Sequence, residues 1–452
     1  MSFPPSLTDW LASLGPADPL PLDQLAACFL RHVRRHAAAL REARSAGLDR
    51  SIAGWRATLA DALRTVLRAS VAALGHLATR TSLEILWTRL HASLPERPDI
   101  AAVLVARVCA DALDEAIGHR FVALYRERRQ WRLVPGDPFP VGEPALRDVF
   151  GRHLTTHPDV RDLPIDRTTR LAIAPEADGV ELVLDLDGDL ITPEPNATIA
   201  ICLPIATPMS ELAWDTDPAR GRFFGVRPRD PAAIGASVRA LLGEALTAEA
   251  AIVVFPELSV DGPALAEVTR ASAVAPHRPI IVAGSRHALV DGQPRNQATL
   301  LVGDAVHHST KFNPFALGDM AEGISSAPAQ VVIRGAIDGT GRYAWSVAVL
   351  VCKDFLSLGA HQLLTAARPA LIVVPAMTER TAVFETDAMG LTGSTQATCI
   401  VVNQVDPRGL EHEDAAVAIV TRPVPWALTE VVRRSEVTPP VCLLLSLRPD
   451  PP

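Results

Sequence analysis

Apolar residues recur along this chain with two different periods, and the change of period divides it. From Leu22 to about Tyr125 the spacing is helical. After Trp55 the positions Leu59, Leu63, Val66, Leu67, Val71 and Leu74 share one helix face. A second helix runs from Ile100 through Val103, Leu104, Val108, Leu113 and Ile117 to Phe121, with Pro95 and Pro98 breaking the chain before it. Helices with short connections predict a bundle, so residues 1–134 read as an all-α N-terminal domain. Its first 20 or so residues are a proline-rich, irregular lead-in.

Residues 135–195 turn rich in proline and acids. Val180 to Leu186 alternates polar and apolar positions like a half-buried strand, and Asp187-Gly188 makes a turn. This stretch reads as a linker with a small β appendage. Asp185, Asp187 and Asp189 lack the later glutamate and spacing of an EF-hand, so they read as solvated acids of a turn. Across 196–452 short apolar runs alternate with helix-length segments. Thr198–Leu203, Ala251–Phe255, Ile280–Gly284, Ala298–Val302, Val347–Val351, Leu371–Val374 and Ile400–Val402 read as strands. Pro231–Leu246, Pro263–Val274 and Leu358–Ala367 read as helices, and the alternation predicts α/β layering.

Three of these runs lead to reactive groups. The run ending at Val351 leads to Cys352-Lys353-Asp354, the run at Ala251–Phe255 ends on Pro256-Glu257, and the run at Ala298–Val302 is followed by Lys311-Phe312-Asn313-Pro314-Phe315. The carboxyl ends of parallel strands open onto crevices, which is where α/β proteins place reacting groups. Lysine usage sharpens the point, because of 43 basic residues only Lys311 and Lys353 are lysine. A chain that uses arginine for surface charge keeps lysine where a compact, tunable ammonium is required.

Length and charge narrow the classes. At 452 residues two or three domains are expected, and a net charge of -8 does not favour a nucleic-acid or membrane binder. Two basic stretches stand against that charge. Arg31, Arg34, Arg35, Arg41 and Arg44 lie with His32 and His36 on an early helix, and Arg126 to Arg132 surround Trp131. The first reads as a solvated face. Six scattered cysteines form no metal or disulfide pattern, the N-terminus lacks a secretory signature, and no apolar run approaches the ~18 residues of a membrane span. The cytoplasm is the expected compartment.

Phe255-Pro256-Glu257, Lys311 to Phe315 and Val351-Cys352-Lys353-Asp354 together resemble the three catalytic signatures of the nitrilase superfamily of carbon-nitrogen hydrolases. The resemblance covers roughly residues 197–448. Asn196–Pro204, Arg295-Asn296-Gln297-Ala298, Leu371–Pro375 and Cys399–Asn403 resemble strands of that family in the same order. It implies a four-layer αββα sandwich and, without metal or organic cofactor, hydrolysis of a small-molecule amide or nitrile, the amide being favoured. The implied roles are Cys352 as nucleophile, Glu257 as general base and Lys311 as oxyanion holder, with the backbone N–H of Lys353 assisting. Lys311 is also expected to help keep the thiolate ionised. A second glutamate orders the lysine in such enzymes. Glu322 fits best, and Asp319 competes because the intervening segment is long.

Departures from the pattern limit what carries over. Lys353 stands where an aromatic residue is usual, so it lowers the thiol pKa, meets an acidic substrate group or pairs with Asp354. Asp354 keeps the family's acidic position and braces the turn. The absence of membrane spans argues against the membrane-bound acyltransferase branch. A homo-oligomer is expected. The helical region suggests an alternative, an effector or assembly module of a regulatory or defence complex that binds a protein partner through residues 1–134. An ammonia-supplying glutaminase is a lesser one.

Overall fold

The computed structural model describes residues 22–46, 58–61, 77–126, 130–141, 171–186, 190–194, 196–325, 328–337, 343–404, 416–424, 427–435 and 437–447. Its longer strands begin with β1 (Trp131–Leu133), β2 (Val180–Asp185), β3 (Thr198–Leu203), β4 (Ile252–Glu257) and β5 (Ile280–Val290). They continue with β6 (Gln293–Val302), β7 (Ala305–Thr310), β8 (Ala329–Ile337), β9 (Tyr343–Val349) and β10 (Leu371–Ala376). The last are β11 (Thr398–Asn403), β12 (Ala418–Val424), β13 (Ala427–Arg434) and β14 (Val441–Ser446). Among the described residues they form an eight-stranded sheet, β1-β2-β8-β9-β10-β11-β12-β13, and a six-stranded sheet, β7-β6-β5-β4-β3-β14.

Strand parity explains why the sheets stack. Ile199, Ile201, Val254 and Val282 share one apolar cluster with Val347, Val349 and Val373 of the other sheet. The alternate residues, Ala200, Cys202, Val253, Phe255 and Ile281, point the opposite way, because side chains alternate along a strand. They pack against Ile234, Val238, Leu241, Ala264 and Val268 of two helices. Buried on both faces, β3, most of β4 and the start of β5 (Ile280 to Ala283) read as continuous apolar runs.

The helices number α1 (Leu22–Arg35), α2 (Ala37–Ser45), α3 (Leu77–Ser93), α4 (Pro98–Arg126), α5 (Pro231–Thr247), α6 (Gly262–Val274), α7 (Leu358–Ala367) and α8 (Ala382–Thr395). Asp230 and Asp261 cap α5 and α6 by accepting the Ala233 and Ala264 N–H groups, each followed by a proline in the first turn. With α5 and α6 outside one sheet and α7 and α8 against the other, the layers run α, β, β, α.

Helices α1 to α4 build a further core from Phe29, Leu30, Val33, Leu40, Trp87, Leu104 and Leu113. The same cluster takes in Leu171, Ile173, Leu186 and Tyr343, so the helices pack on strand residues and share their core. Of the apolar stripe after Trp55, Leu59 is described and buried, whereas Leu63 to Leu74 lie outside the described residues, as do residues 1–21.

The segment expected as a linker with a β appendage differs from that reading. Val180–Asp185 pairs parallel with β8 and antiparallel with β1, making it an internal strand of the main sheet. Asp185, expected as a solvated acid, is buried beside Arg334 (Nε to Oδ2 3.7 Å) and His307 (Nδ1 to Oδ2 3.8 Å). Arg334 reaches across to the other sheet, donating to the His308 carbonyl at 2.7 Å and the Ser309 hydroxyl at 3.3 Å. Alternation signals a strand but not its partners. Asp187 and Asp189 lie outside the described residues, and no described helix is long and apolar enough to cross a membrane.

One irregularity shapes the end of β4. The register between β5 and β6 shifts between Val282 and Ser285, and Gly284 there has φ +63°. A β-carbon at Gly284 would lie 2.1 Å from the Pro256 carbonyl oxygen. Gly284→Ala therefore adds a backbone clash to the ~1–2 kcal/mol cost of a left-handed L-residue. It should lower the thermal unfolding midpoint by several degrees in a circular dichroism melt, while Gly292→Ala, with open space around it, lowers it less.

Candidate active site

Four chain segments meet at the strand ends. Glu257 is the last residue of β4, Lys311 directly follows β7, and Glu322 ends the short strand Met320–Glu322. Cys352 opens a 3-10 turn, Cys352–Leu356, just beyond β9. The Lys311 Nζ lies 2.8 Å from Glu257 Oε1 and 2.8 Å from Glu322 Oε2. The Cys352 thiol lies near enough for the charges of Glu257 and Lys311 to act on it, with the Met377 backbone N–H beside it. All four side chains are buried, Lys311 with 0% exposure.

Local geometry holds each piece. Cys352 has φ +50°, a left-handed conformation uncommon for a residue with a β-carbon. The turn around it is tied by Leu350 N–H to the Val373 carbonyl and Asp354 N–H to the Val351 carbonyl. Asp354 turns inward and accepts the backbone N–H of Phe312 at 3.1 Å and of Asn313 at 2.7 Å. One residue past the thiol's neighbour thus clamps the loop that carries Lys311. Burial pushes the Asp354 carboxyl up to about 8, against the pull of those two amides and of Lys311.

Lys353 does not join the cluster. Its side chain is exposed, with Nζ 3.4 Å from the Pro314 carbonyl, and among the described residues it makes no ion pair with Asp354. The charges that act on the thiol are those of Glu257 and Lys311. Asp319, the competitor for the second acidic place, is exposed, and Glu322 occupies that place.

Two side chains of the network carry little signal in the sequence. Asn296 Nδ2 donates to both Glu257 Oε1 (2.9 Å) and Glu322 Oε1 (2.7 Å), joining the two carboxylates. Its place at the head of an asparagine-led strand was its one visible mark. His287, on β5, contacts Glu322 Oε1 through Nε2 at 2.9 Å. A single histidine within a strand has no spacing that would have identified it.

Burial first, then the Glu257 charge, push the Cys352 thiol well above its usual range, while Lys311 and the Met377 N–H oppose the shift. Lys311 acts in the expected direction, favouring the thiolate, but burial and the Glu257 charge outweigh it, because a desolvated thiol beside a carboxylate is harder to ionise. Burial and the neighbouring carboxylate thus favour the thiol over the thiolate. Burial alone would lower Lys311, yet Glu257, Glu322 and Cys352 hold it well above the normal lysine range. For Glu322 burial acts upward, but Lys311 and the His287 hydrogen bond prevail and bring it down to about 2. A permanent ammonium between carboxylates beside a nucleophilic atom is suited to acyl transfer, in which negative charge develops on a carbonyl oxygen. Among the described residues no group of histidine, cysteine and acidic side chains is arranged to hold a metal ion.

No protein-family model and no curated protein matches the sequence. Solved structures do match, at low identity. One is a CN-hydrolase superfamily protein from Xanthomonas campestris with an arsenic adduct in its active site (16% identity, 56% of this chain and 90% of that chain, TM-score 0.39). Another is an amidase from Nesterenkonia sp. (15% identity, 57% and 92% coverage, TM-score 0.38). A third is Saccharomyces cerevisiae Nit3, of branch 10 of the nitrilase superfamily (12% identity, 57% and 93% coverage, TM-score 0.39). Likeness this remote assigns no residue a role.

The depressed Glu322 has a pH signature. A carboxylate whose folded pKa lies below its unfolded value contributes stability above the unfolded pKa, and that contribution is lost as pH falls through the folded one. The unfolding free energies of wild type and Glu322→Gln, from denaturant titrations, should differ by on the order of 3 kcal/mol near neutrality, narrowing as pH falls from about 4.5 towards 2. A constant difference across that window would contradict the assignment of Glu322 as a buried anion.

Proposed function

We propose that this protein is a carbon-nitrogen hydrolase of the amidase type, acting on a small-molecule amide through a thioester on Cys352. The observation that carries the reading is the Lys311 ammonium 2.8 Å from both Glu257 and Glu322, with the buried Cys352 thiol near enough for the charges of Glu257 and Lys311 to act on it. An amide carbon is a poor electrophile, and thiol, base and cation together answer that difficulty.

Glu257 takes the thiol proton as sulfur attacks the carbonyl carbon. Negative charge forms on the carbonyl oxygen, where Lys311 and the backbone N–H of Lys353 stabilise it. As the carbon–nitrogen bond breaks, Glu257 returns its proton to the leaving amine. A water then attacks the thioester with Glu257 as base, releasing a carboxylic acid and restoring the thiol. Side chains alone move every proton in the cycle.

A second reading makes residues 1–134 an interaction module. It is favoured by the core that α1 to α4 share with Leu171, Ile173 and Tyr343, since a partner or second copy held by the helices would be coupled to the main sheet. Light scattering on the intact chain should then show a homo-oligomer, and a monomer at every concentration would remove the homo-oligomeric form of this reading.

The chemistry is tested by mass spectrometry after exposure to a library of small amides, glutamine included to probe an ammonia-supplying role. An acyl adduct on Cys352 is expected, and Cys352→Ala should abolish turnover of the amide that forms it. Glu257→Gln should slow that turnover by about 10²–10⁴-fold. Hydrolysis by Cys352→Ala at the wild-type rate would refute the nucleophile.

A further inference from the structure

The two glutamates beside Lys311 are alike in the sequence but differ in their hydrogen bonds. Glu322 Oε1 receives Asn296 Nδ2 at 2.7 Å and His287 Nε2 at 2.9 Å. Its Oε2 receives Lys311 at 2.8 Å and the Phe315 backbone N–H at 2.9 Å. An ionised carboxylate offers about four lone-pair sites, and here four donors occupy them. On Glu257, Lys311 and Asn296 both address Oε1. Glu257 keeps capacity for a proton, whereas Glu322 has no lone pair left for one.

His287 is able to be the fourth donor because its other nitrogen is already committed. The backbone N–H groups of Gly225 and Val226 point at Nδ1, at 3.0 and 3.2 Å, so Nδ1 accepts and the ring proton sits on Nε2, facing Glu322. The Phe224 ring stacks on the imidazole with centroids 4.7 Å apart and planes at 17°. The side chain is fully buried, and the segment 224–226 sets both its tautomer and its plane.

We propose that His287 is a positioning residue that separates the roles of the two carboxylates, saturating Glu322 so that it serves as a fixed anion for Lys311 and leaving Glu257 as the one proton acceptor. The inference rests on Cys352 being the nucleophile. If the donor from His287 is lost, Glu322 becomes able to take a proton or turn towards another donor. Lys311 then loses its second fixed counter-charge and its place beside Glu257 and the thiol. The low position of Glu322, to which the His287 bond contributes, agrees with this.

The test uses the full chain and iodoacetamide as probe. Cys352 sulfur displaces iodide to form the carbamidomethyl thioether, the thiol proton passing to Glu257, and peptide mass spectrometry reads the rate at Cys352. Three variants divide the functions of the ring. His287→Phe keeps a ring against Phe224 without either nitrogen, His287→Gln restores a donor towards Glu322, and His287→Asn restores an acceptor for the Gly225 and Val226 amides. Loss of a hydrogen bond to a charged group should slow Cys352 labelling about tenfold or more in the Phe and Asn variants, with Gln within about threefold of wild type. Rescue by Asn and not by Gln would show that the histidine only holds the loop, and would overturn the proposal. So would wild-type labelling in His287→Phe. Should the Phe variant fail to fold by circular dichroism, the comparison of Gln with Asn decides alone. A wild-type Cys352 that resists labelling while other cysteines react would instead remove the nucleophile reading, and this proposal with it.

Discussion

A single buried ammonium constrains this site. Lys311 has no contact with solvent, and taking an ion out of water costs on the order of several kcal/mol unless its partners are placed well enough to offset it. Two carboxylates at 2.8 Å provide that offset, and they are themselves buried ions that need further donors. Asn296, His287 and the Phe315 N–H supply them. The cluster is therefore closed in the sense that removing any one member leaves an uncompensated charge or an unmet polar group. Its chemistry follows from Glu257, which takes Lys311 and Asn296 on Oε1 and whose charge acts on the Cys352 thiol.

Backbone geometry around the cluster serves the same end. Gly284 lets β5 pass within contact of the Pro256 carbonyl, so β4 can deliver Glu257 at its tip. Asp354 ties the turn after the nucleophile to the amides of Phe312 and Asn313, fixing the distance between the cysteine segment and the lysine segment without using either reactive group. Cys352 itself holds a left-handed backbone, and the turn bonds on either side of it maintain that conformation. The Gly284 and Asp354 contacts join residues far apart in the chain, whereas the bond from Asp354 N–H to the Val351 carbonyl is local.

The helical region is integrated with the sheets through apolar packing and not merely appended to them. Leu171, Ile173 and Tyr343 sit in the core of α1 to α4, while β2 from the same stretch of chain joins β8. A buried polar bridge crosses between the two sheets near that edge, where Arg334 meets Asp185, the His308 carbonyl and the Ser309 hydroxyl.

The sequence alone determined the alternation of apolar strands and helices after residue 196, because a fully buried strand must be apolar throughout and a helix must repeat near 3.6 residues. It also marked Glu257, Lys311 and Cys352, since abrupt polarity at a strand end and the scarcity of lysine are properties of the string itself. It left open Glu322 against Asp319 and the direction of Lys353, and it read Val180–Asp185 as an appendage and Asp185 as solvated. Those are matters of which surfaces face each other, and period-two patterning records only that one face of a strand is apolar. Only the tertiary structure decided that His287 and Asn296 meet Glu322 and that burial pushes the Cys352 thiol up. Burial and long-range hydrogen bonding set those outcomes, and both depend on distances that exist only once the two sheets have closed on one another.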